Sequence, residues 1–173
     1  MGTVAEEADR LGFESVWIPE HLVVPIASTG SPHTGSEHPP IPSNVPIYDA
    51  LAYLCYLAAR TTRIGLGTNV YNIGLRHPPV TARAATTIDV LSNGRLALGI
   101  GARWLRAERE AVGLDFDRRG ARVDEAIDVC RRLWSEEVVE HHGEFFDFGP
   151  LGLARHHHGE TSRIPGRSGV TAL

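Results

Sequence analysis

The sequence predicts an α/β fold, about half of a TIM-type (β/α)8 barrel over residues 1–150 with an irregular tail over 151–173. Three observations carry that prediction. Amphipathic helical segments alternate with short apolar strands, helix first, through four helices and three strands, an order that implies parallel strands joined by right-handed crossovers. Glycines lie inside the strands, at Gly65, Gly67, Gly99 and Gly101, where they admit close approach of a side chain or ligand. Neither pair extends to G-x-G-x-x-G, because Val70 and Trp104 stand where a third glycine belongs; a doubly wound nucleotide-binding sheet is therefore the second choice. A complete barrel takes about 250 residues, so these elements account for roughly half of one.

Each element has its own justification. Val4, Ala5, Ala8 and Leu11 fall at helical spacing between acidic and basic residues, with Gly12 as the C-cap. Phe13 to Ile18 is apolar and bounded by Gly12 and Pro19, as a buried strand would be. Val24 to Pro46, rich in Pro, Gly and Ser, reads as a long loop. Asp49 is placed to cap a mostly apolar helix ending at Arg60. In the next strand Ile64, Leu66, Thr68 and Val70 share one face, and the glycine face must meet something close. Pro79 fits the first turn of a helix whose stripe is Val80, Ala84, Thr87, Ile88 and Leu91, and Arg95 to Gly101 repeats the strand pattern. The acid and Arg run from Arg106 onward reads as a solvated face. The last helix spans about Arg119 to Ser135, with Val123, Ala126, Ile127, Cys130, Leu133 and Trp134 inward and an outer Asp128–Arg132 pair. Val138 to Phe148 reads as a hairpin turning near His142–Gly143, and beyond Pro150 the periodicity stops.

Composition narrows the function classes. The 173 residues are 42% hydrophobic and 22% charged, which suits one folded domain. The net charge of −4 argues against a nucleic-acid binder held by phosphate neutralisation. All 17 basic residues are Arg, a codon-level bias more than a chemical signal. No apolar run reaches about 18 residues and the chain opens on an acidic helix, so the expected location is the cytoplasm, away from membranes. Cys55 and Cys130, 75 positions apart in helical patterns, read as two thiols.

In a (β/α) barrel the chemistry sits at the C-terminal ends of the strands. That position selects Glu20 and His21, then Asn69, Val70 and Asn72, then Arg103 and Trp104. His21 could donate or accept a proton near neutrality; Glu20 could orient the imidazole or accept a hydrogen bond. Asn69, Val70 and Asn72 close a strand whose inner face is glycine, where a flat ligand could lie. Arg103 and Trp104 offer a cation and a stacking face. The other histidines, at 33, 38, 77, 141, 142 and 156–158, come with no spaced carboxylate or cysteine set, so no metal site is expected.

The succession AEEADRLGFESVWIPEH (5–21), RTTRIGLGTNV (60–70), RHPPVTARAATTIDVLSNGRLALGIGARWLRAE (76–108) and RRGARVDEAIDVCRRLW (118–134) resembles the luciferase-like monooxygenase superfamily, and within it the deazaflavin (coenzyme F420)-dependent oxidoreductases. The resemblance covers residues 3–150. It implies a barrel that lays F420, or FMN in sister enzymes, against a bulge at Asn69–Val70, often with a non-prolyl cis peptide there. By the same resemblance Glu20 is a ring-contacting position, His21 a catalytic or substrate-facing histidine, and Asn72 a cofactor-contacting polar residue. Trp104 stands where some relatives carry a catalytic carboxylate, and Arg103 replaces a common glycine, narrowing the pocket. The implied activity is hydride transfer between reduced cofactor and a small organic substrate, with a homo-oligomer also allowed. Two departures count against a complete enzyme: no strand precedes Val4, and no Lys-Pro-rich loop follows Pro150, while relatives draw much of their phosphate binding from later strands. The alternative is a truncated, non-catalytic fragment or partner subunit unable to bind cofactor alone.

Overall fold

A computed structural model of the chain describes residues 2–24, 46–102, 104–153 and 170–172. Helix α1 (Gly2–Leu11) leads into strand β1 (Ser15–Ile18), followed by α2 (Ala50–Arg60), β2 (Gly65–Thr68), a 3₁₀ turn (Ile73–Leu75), α3 (Pro78–Leu91) and β3 (Leu96–Ile100). A short α4 (Arg106–Glu110) precedes α5 (Arg119–Ser135), the strands β4 (Val139–His142) and β5 (Asp147–Leu151), and β6 (Val170–Ala172). Caps explain several boundaries. The Asp49 carboxylate accepts the Ala52 N–H at 2.9 Å to start α2, and Gly12, at φ 85°, ends α1 in the left-handed conformation.

Four strands form one sheet in the order β1-β2-β3-β6, every neighbour parallel, while β4 and β5 pair antiparallel as the expected hairpin. Ser15 pairs with Gly65 and Ile18 with Thr68, so β1 and β2 end level with one another. Alternation along the strands sorts the side chains. Val16, Ile18, Leu66, Leu98 and Ile100 join the core against Leu54, Leu57, Ile88, Leu133 and Trp134 of the helices. Ser15, Trp17, Gly65, Gly67, Ala97 and Gly99 occupy the opposite face. Helix α5 locks onto α3 through Trp134, whose Nε1 donates to the Ala82 carbonyl at 3.2 Å, and Cys130, whose Sγ lies 3.5 Å from the Pro78 carbonyl.

Several expectations need correction. Residues 170–172, expected within an irregular tail, form β6 beside β3; three residues are too few to show a period. The buried face of α3 is Pro78, Thr81, Ala82, Ala85, Ile88 and Asp89, whereas Val80 and Leu91 are exposed. Apart from Ile88, the buried positions of this helix are held by small or polar residues. The Arg106 run is not wholly solvated, because Glu108 and Arg109 are buried. Arg132 pairs with Glu136 at 3.1 Å instead of Asp128. Most of the predicted loop, residues 25–45, lies outside the described residues.

Candidate functional site at the strand ends

Because β1, β2 and β3 run parallel in adjacent positions, the segments following Ile18, Thr68 and Ile100 emerge at one end of the sheet. This brings the sequence-selected positions of all three strands to one rim. Side-chain contacts then tie the rim together.

The first tie starts from Glu20, which is 1% exposed. Its Oε2 accepts the Asn72 N–H at 2.8 Å and its Oε1 accepts Arg76 Nη2 at 2.6 Å. Arg76 also reaches Asp49 at 3.0 Å and lies over the Tyr71 ring, 4.7 Å from its centroid. Burial pulls the Arg76 guanidinium down, but Tyr71, Glu20 and Asp49 outweigh it and hold it above its ordinary value. Burial likewise pushes the Tyr71 hydroxyl up to about 12. Glu20 therefore sets the backbone after β2. The Asn72 side chain is itself buried, and neither Nδ2 nor Oδ1 has a hydrogen-bond partner among the described residues. A buried carboxamide in that condition has one donor group and one acceptor to offer.

The second tie joins β1 to the segment after β3. His21 Nδ1 lies 3.6 Å from Glu108 Oε2, with the two side chains 10% and 1% exposed. The other oxygen, Oε1, accepts the Leu22 N–H, so one carboxylate holds the backbone beyond His21 and faces the imidazole. The sequence reading offered Glu20 for this task; in the structure the Glu108 carboxylate also faces the imidazole. The sequence signal was available in Glu108 itself, one charged residue spaced to face inward from a one-turn helix, but a run of acids and arginines hides such a position.

Between the ties lies the bulge. Asn69 N donates to Ile18 O at 2.8 Å, continuing the ladder to β1, whereas Tyr71 N donates to Gly99 O at 2.7 Å and Gly101 N to Tyr71 O at 3.2 Å. The chain thus changes partner from β1 to β3 across Asn69–Val70, and that peptide bond is cis. Val70 leaves the face shared by Ile64, Leu66 and Thr68 and packs on Gly101, where a Cβ would come within 2.6 Å of its Cγ2.

The family model for luciferase-like monooxygenases matches residues 1–165. The chain belongs to this family. Among its relatives, the luciferase-like chain is 37% identical over 149 residues to the F420-dependent glucose-6-phosphate dehydrogenase of Kineococcus radiotolerans, covering 83% of this chain and 39% of that protein. It superimposes on the crystal structure of a Streptomyces bottropensis monooxygenase with a TM-score of 0.74 and 34% identity, covering 89% of this chain and 42% of the other. The fold also matches the oxygenating constituent of 3,6-diketocamphane monooxygenase from Pseudomonas putida, solved with FMN, at a TM-score of 0.71 and 21% identity, over 99% and 44% of the two chains. The chain spans about half the length of the curated relatives it matches.

Other expected site features of this luciferase-like chain fall differently. Trp104 is half-buried beyond β3, while Arg103 lies outside the described residues. The glycine face does meet something close, as expected, but it is protein: the Trp17 indole lies against Gly67, where a Cβ would overlap the ring, and its Nε1 donates to Ser15 Oγ at 2.9 Å. That contact leaves no space for a flat ligand directly on Gly67. A groove of about 380 Å³ opens elsewhere, between α2 and α3, lined by Leu51 and Cys55 on one side, Val80 and Thr87 on the other, and Asp49 and Arg76. Neither His21 nor the bulge lines it.

Proposed function

We propose that residues 1–150 form part of a luciferase-like (β/α) barrel and that the chain derives from an oxidoreductase transferring a hydride between reduced deazaflavin F420, or FMN, and a small organic substrate. The observation that carries this reading is the buried Asn72 carboxamide with both polar atoms unmatched at the strand-end rim; it fits the polar edge of a tricyclic ring, which offers both a donor and an acceptor. The relatives support the cofactor class, one being F420-dependent by name and another solved with FMN. When bound, the reduced cofactor supplies the hydride, and the protein supplies position and proton control. Val70 and Asn69 would hold the cofactor ring, and the Asn72 carboxamide would hydrogen-bond to it. Glu20 sets this segment through the Asn72 N–H and Arg76. His21 moves the proton to or from the substrate, with the Glu108 carboxylate facing its Nδ1. Trp104 closes the rim on the β3 side.

A second reading is a non-catalytic chain or partner subunit that keeps the packing without holding cofactor, favoured by the Trp17 indole that fills the space over Gly67. Fluorescence titration of the purified chain with F420 and with FMN separates the two. Saturable binding weakened at least tenfold by Asn72→Leu is the expected result. No binding of either cofactor, or binding indifferent to Asn72→Leu, selects the second reading.

A further inference from the structure

Two helix faces meet unevenly outside the sheet. On α2, Ala52 and Cys55 stand three apart, and on α3, Val80 and Ala84 stand four apart, so each pair lies on one stripe of its helix. The stripes line opposite sides of the groove of about 380 Å³, and Ala52, Cys55 and Ala84 are too small to fill it. That volume lies in the range of small-molecule pockets. The walls are apolar. Cys55 adds a thiol that burial and the Asp49 charge hold above its ordinary value, hence neutral.

Charge is confined to one end, where Asp49 and Arg76 meet. The Asp49 side chain is 48% exposed; it accepts the Ala52 N–H through Oδ1 and Arg76 through Oδ2, and keeps lone pairs for a further donor. Arg76 gives Nη2 to both Glu20 and Asp49, while its Nη1 is buried with no hydrogen-bond partner among the described residues. A buried donor left unmatched is costly, so this end calls for an acceptor as well as a donor. The sign of the charges narrows the head group further. Glu20 and Asp49 already outnumber Arg76, which disfavours an added anion, and a cation would meet the guanidinium at close range. A hydroxyl, neutral and able to donate and accept at once, meets both demands. An apolar chain behind it suits the walls.

We propose that the groove between α2 and α3 binds a small neutral amphiphile, an aliphatic alcohol of medium chain length, with its hydroxyl at Asp49 and Arg76 and its chain along Ala52, Cys55, Val80 and Ala84. The site is separate from the strand-end rim, since neither His21 nor the bulge lines it. It is tested without cofactor, so it stands or fails apart from the redox assignment.

Calorimetric titration of the chain with 1-octanol measures the binding, and alkylation of Cys55 by iodoacetamide locates it, because Cys130 is fully buried. The expected result is saturable binding of 1-octanol, at least tenfold weaker binding of octanoate and of octylammonium, and Cys55 alkylation slowed in step with octanol occupancy. Ala84→Leu, which fills the middle of the groove, and Val80→Trp, which crowds it from a position 62% exposed, should each weaken octanol at least tenfold with circular dichroism unchanged. Should Ala84→Leu fail to fold, Val80→Trp decides. Absence of binding overturns the proposal. Equal binding of the three amphiphiles also overturns it, since the polar end would then recognise nothing. Binding that leaves the alkylation rate untouched, or that survives the groove-filling variants, puts the alcohol elsewhere and overturns it. Cys55 protected in the free chain, and more so at higher protein concentration, shows a second copy covering the groove and overturns it as well.

Discussion

Single side chains here do work that their surroundings make measurable. Asp89 is 7% exposed near the end of α3, and burial raises its carboxyl to about 6 from an ordinary 3.8, partly offset by the Leu96 N–H it accepts. The folded state thus binds the proton more tightly than the unfolded chain. Its contribution to stability is fully present below about pH 4 and is lost as pH rises through about 6. Asp89→Asn keeps an acceptor for Leu96 and removes the ionisation. The melting temperature of the variant should exceed that of the parent by a margin that grows between pH 4 and pH 7 and is flat above; a margin independent of pH would show that Asp89 ionises freely. Asp9 is the opposite case. It accepts the N–H groups of Thr62, Arg63 and Ile64 at 2.7 to 3.0 Å, and these bonds hold its carboxyl below the ordinary range. One residue of α1 thereby shapes the turn between α2 and β2.

Among the elements, the strands are held close by what they lack. A Cβ on Gly99 would drive into the Thr68 carbonyl, a backbone atom that cannot swing aside, while one on Gly120 in α5 would meet nothing. Gly99→Ala should cost about 2 to 3 kcal/mol by overpacking, read as a fall in the urea midpoint, and Gly120→Ala should be neutral or stabilising by under about 1 kcal/mol. Equal effects would mean that the β2–β3 spacing relaxes. Type and order of the elements were legible in the sequence because α5, α2 and the glycine-bearing strands have unambiguous periods. The phase of α3 was not: apart from Ile88 its buried face is made of Pro, Thr, Ala and Asp, so ranking by hydrophobicity adds Val80 and Leu91. Glu108 and Arg109 were invisible for a related reason, since alternating charges look solvated until a neighbour covers them. Arg109 is wholly buried with Nη1 and Nη2 unpartnered among the described residues, against the Gly74 backbone, and burial with Arg122 and Arg119 nearby pulls its guanidinium down.

For the molecule as a whole, anything that binds the native state alone raises its apparent stability by mass action, so saturating F420 or FMN should raise the melting temperature by a few degrees. A melting point unmoved by either cofactor would select the non-catalytic reading. The candidate site was legible at this scale through strand-end position and the ordered set of motifs, which placed His21, Asn69 and Trp104 on one rim. The contacts that hold the rim, Glu20 to Asn72 and His21 to Glu108, join residues 52 and 87 positions apart, and no local pattern encodes them. Together with the β2-to-β3 bonds at Tyr71 they brace three strand ends like a triangulated truss. A frame of that kind resists shear in its own plane, so any molecule taken by the proposed site would meet one fixed outline beneath it, with discrimination left to the segments above.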